Sequence, residues 1–250
     1  EGLGGALGMI ADKLFERFPC DEIYGMHNYP NGRPGKFGIC KGPALAGAAF
    51  FDINIKGAGA HAAHPDEGKD ALMIGASLAT EMNTILARNV PPQETCVLSI
   101  TQLHSGAAYN VVPETASLAG TIRYFNDDIY ALAARRMQAL CDGVALAHDV
   151  EVRLDLRRVF DVLVNDAELS DAYLEAAADI VGEQNVSDAE PPTTGSEDFA
   201  DMLRIVPGAY CALGHSGTLP LHNPGFVLGE EILPVGASIM ARVVERRLPL

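Results

Sequence analysis

The sequence lacks tryptophan, contains only five cysteines and is poor in basic residues. The cysteines are an odd number, lie far apart and include no CxxC pair. They therefore indicate neither a disulfide framework nor a structural zinc site, and they are typical of a reducing cytoplasm. Lys and Arg number 18 against 33 Asp and Glu, which gives a net charge of -15. That charge disfavours nucleic acids and anionic membranes as partners, because both bind clustered basic side chains.

Several sequence signatures are also absent. No apolar run approaches the roughly 20 residues that span a bilayer. There is no GxSxG elbow, no phosphate-binding glycine loop and no GxGxxG, so serine hydrolases, kinases and dinucleotide-dependent enzymes lack their key residues here. The 250 residues are 48% hydrophobic and 20% charged, the balance of an ordinary globular protein of one or two domains. We therefore predict a globular cytoplasmic protein that acts on neither membranes nor nucleic acids.

The two ends of the chain have the pattern of a layered α/β domain. Residues 4–18 have helical spacing and precede a short apolar run, EIYGMHNYP, which predicts a buried strand with His27 at its C-terminal end. After residue 160, helical stretches again alternate with a short apolar strand, AYCAL. Short buried strands between helices are typical of a mixed or parallel sheet. We assign residues 1–45 and 161–250 to two parts of one α/β domain.

The middle segment, residues 46–160, has a different pattern. Its strands alternate apolar and polar residues, as in AGAAFFDINIKG, and helices are predicted over about 69–88 and 128–148. The order β-α-β-β-α-β is that of a ferredoxin-like α+β unit. We therefore predict that this α+β domain is inserted into the α/β domain. Because the helices of such a unit cover only one face of its sheet, the uncovered face suggests dimerisation.

Three residues are candidate metal ligands. His27 lies at the predicted strand end, His222 lies in the loop segment LPLHNPGF, and Glu1 precedes a glycine-rich turn into a helix. Open α/β sheets bind ligands at strand-to-helix edges, and imidazole and carboxylate groups are ligands of zinc and similar ions. Because the spacings between the three are long, the alternative is that both histidines are structural or solvated.

A second group of candidates lies in the middle segment. His61 and His64 occur in GAGAHAAHPDEGKD, where glycine lets the backbone approach another group closely. A histidine in such a turn is better placed for binding or oxyanion stabilisation than for packing. An Asn amide and an Arg guanidinium, here Asn110 and Arg123, can together hold a carboxylate. Their alternatives are a turn cap and a surface ion pair.

The remaining polar residues receive weaker interpretations. His215 is close to His222 in sequence and is a candidate pocket residue, whereas His104 and His148 are interpreted as structural. The run Gly-Ser-Glu-Asp at 195–198 precedes a predicted helix, and its simplest interpretation is that Ser or Asp caps that helix.

Taken together, these segments resemble the aminoacylase and carboxypeptidase family of two-metal amidohydrolases, in particular its hippurate hydrolase and plant auxin-conjugate hydrolase branch. The matching segments occur in the family's order and cover the chain from end to end. They are EGLGGA at 1–6, GMHNYP at 25–30, GAGAHAAHPDEGKDA at 57–71, AAYNVVPETASLAGTIR at 107–123, TGSEDF at 194–199 and LHNPGF at 221–226. The family also has a βαββαβ dimerisation (lid) domain inserted into its catalytic domain.

The resemblance implies a metal site in the α/β catalytic domain. Glu1 corresponds to the second Glu of the family's Glu-Glu pair, and His27 and His222 correspond to its two later histidine ligands. The implied cofactor is a pair of divalent ions, for which zinc, manganese, cobalt and nickel all suit nitrogen and oxygen ligands. The implied reaction is hydrolysis of the amide bond of small N-acyl-amino acids such as hippurate.

The resemblance also implies roles for the lid domain. His61 corresponds to the lid histidine that reaches the neighbouring subunit's site and stabilises the oxyanion, which implies a homodimer formed through the lid. Asn110 corresponds to a lid residue of the same site, and Arg123 to a structural or carboxylate-binding position. The run at 195–198 matches a family signature near the pocket to which no role is assigned.

The sequence departs from the family in one respect. In this branch a Cys-x-His ligand pair and the first Glu, the general base, precede the position of Glu1, and none of the five cysteines is followed by a histidine two residues later. We therefore expect the chain to be the C-terminal part of a longer enzyme, with a catalytic domain incomplete at its N-terminus and no activity by itself. The alternatives are a dipeptidase or carboxypeptidase on the same scaffold, or a non-catalytic dimerising or binding module.

Overall fold

The computed structural model describes residues 4–30 and 32–248. Its helices are α1 Gly5–Ala11, α2 Leu14–Arg17, α3 Ala71–Arg88, α4 Asp127–His148, α5 Ala167–Val181, α6 Phe199–Leu203 and α7 Ile232–Arg247. Its strands are β1 Ile23–Tyr29, β2 Phe37–Gly38, β3 Gly42–Leu45, β4 Gly47–Lys56, β5 Ala60–His61, β6 Cys96–Ser105, β7 Val111–Val112, β8 Thr115–Tyr124, β9 Glu151–Phe160, β10 Leu163–Asn165, β11 Val186–Ser187 and β12 Gly208–Gly214. Among the described helices, none is both long and apolar enough to cross a membrane.

The chain divides into two compact units. Unit 1 consists of Glu1–Ala46 and Leu163–Leu250, and unit 2 consists of Gly47–Val162. All five cysteines are free thiols. Burial raises the pKa of the Cys96 and Cys141 thiols to about 11 and that of Cys211 to about 12, so these three side chains serve as small apolar groups of the two cores.

Unit 1 contains a mixed four-stranded sheet in the order β1-β12-β2-β11. Strand β1 pairs parallel with β12 along its whole length, and β2 pairs antiparallel with β12 and parallel with β11. Helices α5 and α7 contribute Tyr173 and Ile239 to a core that includes Phe37 and Leu213. The rings of Phe37 and Tyr173 meet edge to face at 4.9 Å between centroids. This apolar layer fixes the position of β1, and therefore of His27.

Two predictions for the start of unit 1 are wrong in detail. The helix predicted over 4–18 is interrupted, because α1 ends at Ala11 and Lys13 has a φ of 63° before the short α2. Ala6 is the only buried residue of α1, so little packing supports a longer helix. Strand β1 is half-buried rather than buried, and it continues to Tyr29, which still pairs with Gly214, so His27 lies two residues before its end.

Unit 2 has the six main elements of the predicted order, β4-α3-β6-β8-α4-β9. The sheet order is β6-β8-β4-β9, with antiparallel pairing throughout. Phe51, Ile53 and Ile55 of β4 pack with Leu78 of α3 and Met137 of α4 in one buried cluster. The helices begin where side chains cap them, since Asp70 accepts from the Leu72 and Met73 amides and Asn126 from the Asp128 amide.

The other face of this sheet, which the sequence predicted to be uncovered, carries charged side chains. Residues that alternate with the buried ones on β4, such as Asp52 and Lys56, lie on that face. Arg157 of β9 forms ion pairs there with Asp52 and Asp155. Phe50 of the same face is also exposed, so this face carries both charged and apolar groups and gives no evidence for or against a partner. Dimerisation through unit 2 stays a prediction that depends on the family resemblance.

Candidate functional site

His27 lies in β1 of unit 1, where its ring forms a hydrogen bond to the backbone. Its Nδ1 is 2.7 Å from the backbone carbonyl oxygen of Asn28. Because a carbonyl oxygen can only accept, Nδ1 must carry the proton and donate it. The neutral ring therefore has its free lone pair on Nε2, the nitrogen that could bind a metal. Metal-binding histidines commonly have this arrangement, since the second nitrogen's hydrogen bond orients the ring.

His222 lies in a long loop of unit 1 between β12 and α7. We call residues 216–229 the His222 loop. The His222 side chain is exposed and its backbone has a φ of 66°, a left-handed conformation that costs a non-glycine residue roughly 1–2 kcal/mol. Such a conformation persists only where the surrounding loop imposes it. At the base of the loop, the Ser216 amide and hydroxyl donate to Glu231 Oε1 at 3.0 and 2.7 Å, which lowers the pKa of that carboxyl.

Glu1, the third predicted ligand, lies outside the described residues. A few residues later α1 begins at Gly5, and the Ala6 amide donates to Asp198 Oδ2 at 2.8 Å. Asp198 belongs to the Gly-Ser-Glu-Asp run. The prediction that this run caps its own helix is wrong for Asp198, whose carboxylate makes no capping bond to α6 and caps α1 instead, whereas Glu197 of the same run accepts from the Phe199 amide of α6 at 3.3 Å.

The neighbouring Glu197 connects the same run to the central sheet. Tyr210 of β12 donates its hydroxyl hydrogen to Glu197 Oε2 at 2.6 Å, and burial together with this carboxylate raises the pKa of the phenol well above its usual range. The Tyr210 ring lies 5.6 Å from Phe199 and 6.5 Å from His27 between centroids. The run at 195–198 therefore supports both α1 and the surroundings of His27.

In unit 2 the structure brings His61 and Asn110 together. Strands β5 and β7 pair antiparallel with His61 opposite Val111, and the Ala62 amide donates to the Asn110 carbonyl oxygen at 3.0 Å. The Ala63 amide donates to His61 Nδ1, also at 3.0 Å. Nδ1 is therefore an acceptor, and the proton of the neutral ring is on Nε2. Both side chains are exposed.

Arg123 is not part of that pair. It lies near the end of β8, where it is opposite Ala48 and Val97, whereas β7 adjoins the start of β8 at Thr115. Eight residues of strand separate Arg123 from Thr115, on the order of 25 Å. Within unit 2, Arg123 and the His61–Asn110 pair therefore lie towards opposite ends of β8.

Unit 2 also has an open groove of about 800 Å³, lined by side chains that include Lys56, His104 and Arg153. None of the predicted site residues lines it. Of its lining residues, Arg153 forms an ion pair with Glu151, and His104 lies 3.4 Å from Gln102 Oε1. This is consistent with a structural interpretation of His104.

The donor chemistry of unit 1 fits a divalent metal, although the described residues do not assemble a complete site. An imidazole whose Nε2 is unprotonated suits zinc, manganese, cobalt and nickel. Within residues 4–30 and 32–248, no three His, Cys, Asp or Glu side chains converge to hold an ion. Two of the three predicted ligands, His27 and His222, are in this part of the chain.

The structural roles of two residues could not be predicted from the sequence. Asp198 caps a helix that lies 192 positions earlier, and no local pattern indicates so distant a partner. His215, predicted only to line a pocket, is fully buried and accepts hydrogen bonds from both ends of the His222 loop. Its position two residues before Gly217 is the only local signal of this role.

Comparisons with known proteins agree with the resemblance. The sequence profile of Peptidase family M20/M25/M40 matches residues 1–246. The chain is 33% identical over 248 residues to hippurate hydrolase of Campylobacter jejuni, covering 99% of this chain and 65% of that protein. It is 31% identical over 221 residues to N-acetylcysteine deacetylase of Bacillus subtilis, covering 88% of this chain and 57% of that protein.

A solved structure of the same family also matches this chain. A dinuclear metal-binding peptidase of the M20 family from Bacillus subtilis matches with a TM-score of 0.80 and 25% identity, covering 97% of this chain and 62% of that one. The chain thus spans less than two thirds of the length of these relatives. Because the family profile matches almost the whole chain, this protein belongs to Peptidase family M20/M25/M40.

Proposed function

We propose that this chain carries part of a metal-dependent hydrolase that cleaves the amide bond of N-acyl-amino acids, with hippurate-like compounds as substrates. The observation that carries the proposal is the pair of opposite tautomers. His27 has its free lone pair on Nε2, as a metal ligand requires, and His61 has its proton on Nε2, as an oxyanion donor requires. Relatives that hydrolyse N-acyl compounds, hippurate hydrolase and N-acetylcysteine deacetylase, support the substrate class.

In this proposal Glu1, His27 and His222 are ligands of a pair of divalent ions, for which zinc, manganese, cobalt and nickel are all suitable. Such ions, when bound, would lower the pKa of water enough to supply hydroxide at neutral pH. The imidazole of His27 is held by the Asn28 carbonyl, which fixes the direction of its lone pair. Asp198 accepts from the Ala6 amide and so holds the start of α1 in unit 1.

His61 would stabilise the oxyanion that forms when the substrate's carbonyl carbon is attacked. Its Nε2 proton is available because the Ala63 amide already occupies Nδ1. Such a donor is effective when it is in place before the reaction, which spares reorganisation during the step. The adjacent Asn110 would hold a polar group of the substrate, and Arg123 would bind the substrate's carboxylate through its planar guanidinium.

The separation along β8 favours a homodimer. In one copy the His61–Asn110 pair adjoins the start of β8 and Arg123 lies eight residues further along that strand, a length on the order of 25 Å, which is longer than a small N-acyl-amino acid. Both can act on one substrate only if they come from different copies. We therefore propose that His61 and Asn110 act in the site of the neighbouring subunit of a dimer formed through unit 2.

The substrate class is tested with purified protein and a panel of N-acyl-amino acids and dipeptides. The chain is assayed as it stands and after N-terminal extension by a segment that carries the family's Cys-x-His pair and additional glutamate. We expect the extended protein to hydrolyse the N-acyl compounds, and His61→Ala to lower kcat about 10²- to 10³-fold, the usual cost of losing one oxyanion donor. His104→Ala is the matched control. Preference for dipeptides, or full activity of His61→Ala, would contradict the proposal.

Mixing two inactive variants tests the contribution between subunits. His61→Ala and His222→Ala chains of the extended protein are unfolded together and refolded as a mixture. If His61 acts in the neighbouring site, each mixed dimer has one intact site, and about a quarter of wild-type activity returns for random pairing in a symmetric dimer. No recovery, with mixed dimers present by mass spectrometry, would show that His61 acts within its own chain.

A further inference from the structure

His215 has a set of contacts that none of the proposed roles explains. It follows β12 directly in unit 1 and is fully buried, at 0% exposure. Its Nδ1 accepts the amide hydrogens of Gly217 at 3.0 Å and Gly229 at 3.1 Å. Because both partners donate, Nδ1 carries no proton, and the neutral ring has its hydrogen on Nε2.

The two glycines mark the two ends of the His222 loop. One imidazole nitrogen therefore holds together backbone positions that are separated by twelve residues. The same residue also contacts the strand that carries His27, since the His215 amide donates to the carbonyl oxygen of Tyr29 at 3.0 Å. His215 thus connects the end of β1 with both ends of the loop that contains His222.

The His222 loop packs tightly against the His215 imidazole. A Cβ at Gly217 would lie 2.5 Å from His215 Cε1 and 2.7 Å from the Val227 carbonyl oxygen, closer than packed atoms allow. The Phe226 ring, also in the loop, meets the imidazole edge to face at 5.7 Å between centroids. The loop is therefore closed around the His215 side chain, with one of its glycines required for the fit.

The other ring nitrogen shows that packing alone does not explain this histidine. Nε2 is buried and, within the described residues, has no hydrogen-bond partner. Burying a donor without an acceptor is unfavourable, and an apolar side chain of similar size would avoid it. What the imidazole provides in return is the Nδ1 acceptor, so the two bonds to the loop are its contribution.

We propose that His215 is a positioning residue that holds the His222 loop closed against the end of β1, so that the His222 imidazole is presented for metal binding. This proposal rests on the proposed function, in which His222 is a metal ligand. His215 itself binds neither metal nor substrate. Its effect on the metal passes through the backbone of the loop, and this separates it from the ligands themselves.

Co²⁺ binding to the extended protein, followed by its visible absorption, tests the proposal through the geometry of the bound ion. His215→Leu removes the acceptor, whereas His215→Asn places a carbonyl oxygen close to the position of Nδ1 and can still accept from both glycines. We expect His215→Leu to weaken Co²⁺ binding about 10- to 100-fold and to change the spectrum. His215→Asn should bind Co²⁺ with an affinity within a few-fold of wild type and should show the wild-type spectrum. The control is His148→Leu, on the exposed end of α4.

The outcomes separate this proposal from the proposed function. If His222→Ala leaves Co²⁺ binding unchanged, the ligand assignment fails. If His222→Ala weakens binding but folded His215→Leu does not, or if His215→Asn is as defective as His215→Leu, the positioning role is overturned. If His215→Leu does not fold, hydrogen exchange in the wild-type chain tests the positioning role instead. Slow exchange of the Gly217 and Gly229 amides, with an Nε2-protonated ring by ¹⁵N NMR, supports the role, and rapid exchange of both overturns it.

Discussion

At the scale of single residues, Asn165 is a buried polar group that joins separate segments of unit 1. Its side chain is 2% exposed and makes three hydrogen bonds. The amide nitrogen donates to the carbonyl oxygens of Cys40 at 2.8 Å and Tyr210 at 3.0 Å, and Oδ1 accepts from the Tyr210 amide at 2.7 Å. One side chain therefore bonds the chain before β3 to β12.

Replacing Asn165 with leucine should lower the free energy of unfolding by about 3 kcal/mol or more, because buried backbone groups would lose their partners. Urea unfolding followed by circular dichroism measures this change. The control is Asn83→Leu on the exposed face of α3, where Asn83 donates to a carbonyl of its own helix and where a change within about 0.5 kcal/mol is expected. Equal losses for both variants would argue against a special role for Asn165.

The residue scale also shows the limits of prediction from sequence. His27, His61 and Asn110 could be selected as candidates, because loops and strand edges rich in glycine and proline indicate binding sites. The tautomers of His27 and His61 could not be predicted, since each depends on a backbone group one or two positions away whose direction is set by the fold. Asp198 bonds to an amide 192 positions earlier, and His215 bonds to Gly229 fourteen positions later. Local patterns indicate neither of these partners.

At the scale of elements, α5 and α7 are joined by an ionic network at one end. Asp179 of α5 accepts from Arg242 at 2.7 Å and from Arg246 at 2.8 Å, both on α7. These hydrogen bonds lower the pKa of the Asp179 carboxyl below its usual value. The ionised form is thus the one that the folded helix pair favours.

The lowered pKa predicts how Asp179 contributes to stability at different pH. A carboxyl whose pKa is lower in the folded state stabilises the fold above its unfolded pKa, about 3.9, and loses that contribution as the pH falls through its folded pKa. We expect Asp179→Asn to be less stable than wild type at pH 7, with the difference shrinking below about pH 4. Urea unfolding at several pH values measures it.

The control for this measurement is Asp142→Asn on α4. Asp142 accepts from Gln138 at 2.8 Å, and the asparagine carbonyl can still accept that bond. Its stability difference from wild type should therefore be small at every pH. A difference for Asp179→Asn that does not depend on pH would mean that packing, rather than the ion pairs, accounts for its effect.

The elements themselves differ in how well the sequence predicts them. Helices α3 and α4 begin within two residues of the predicted positions, because amphipathic spacing and the caps Asp70 and Asn126 agree. The helix predicted over 4–18 is broken between Ala11 and Leu14, because most of its apolar residues are not buried and Lys13 has a left-handed backbone. Local spacing predicts a helix reliably only where packing supports it.

At the scale of the whole molecule, each unit has its own buried core, which explains why the change of pattern near residue 46 is visible in the sequence. Strands of unit 2 alternate because one face is buried and the other is exposed, whereas strands of unit 1 contribute buried residues from short apolar runs. The mixed pairing of β12 with β1 and β2 could not be predicted, because sheet order depends on contacts between segments far apart in sequence.

The central claim is that His27 and His222 bind the metal of an amide hydrolase, and metal content tests it most directly. The N-terminally extended protein, its His27→Ala and His222→Ala variants, and the control His104→Ala are measured by mass spectrometry of bound metal after dialysis. We predict about two divalent ions per chain in wild type and control, and a loss of bound metal in both ligand variants while they remain folded. Wild-type metal content and activity in both ligand variants would contradict the claim.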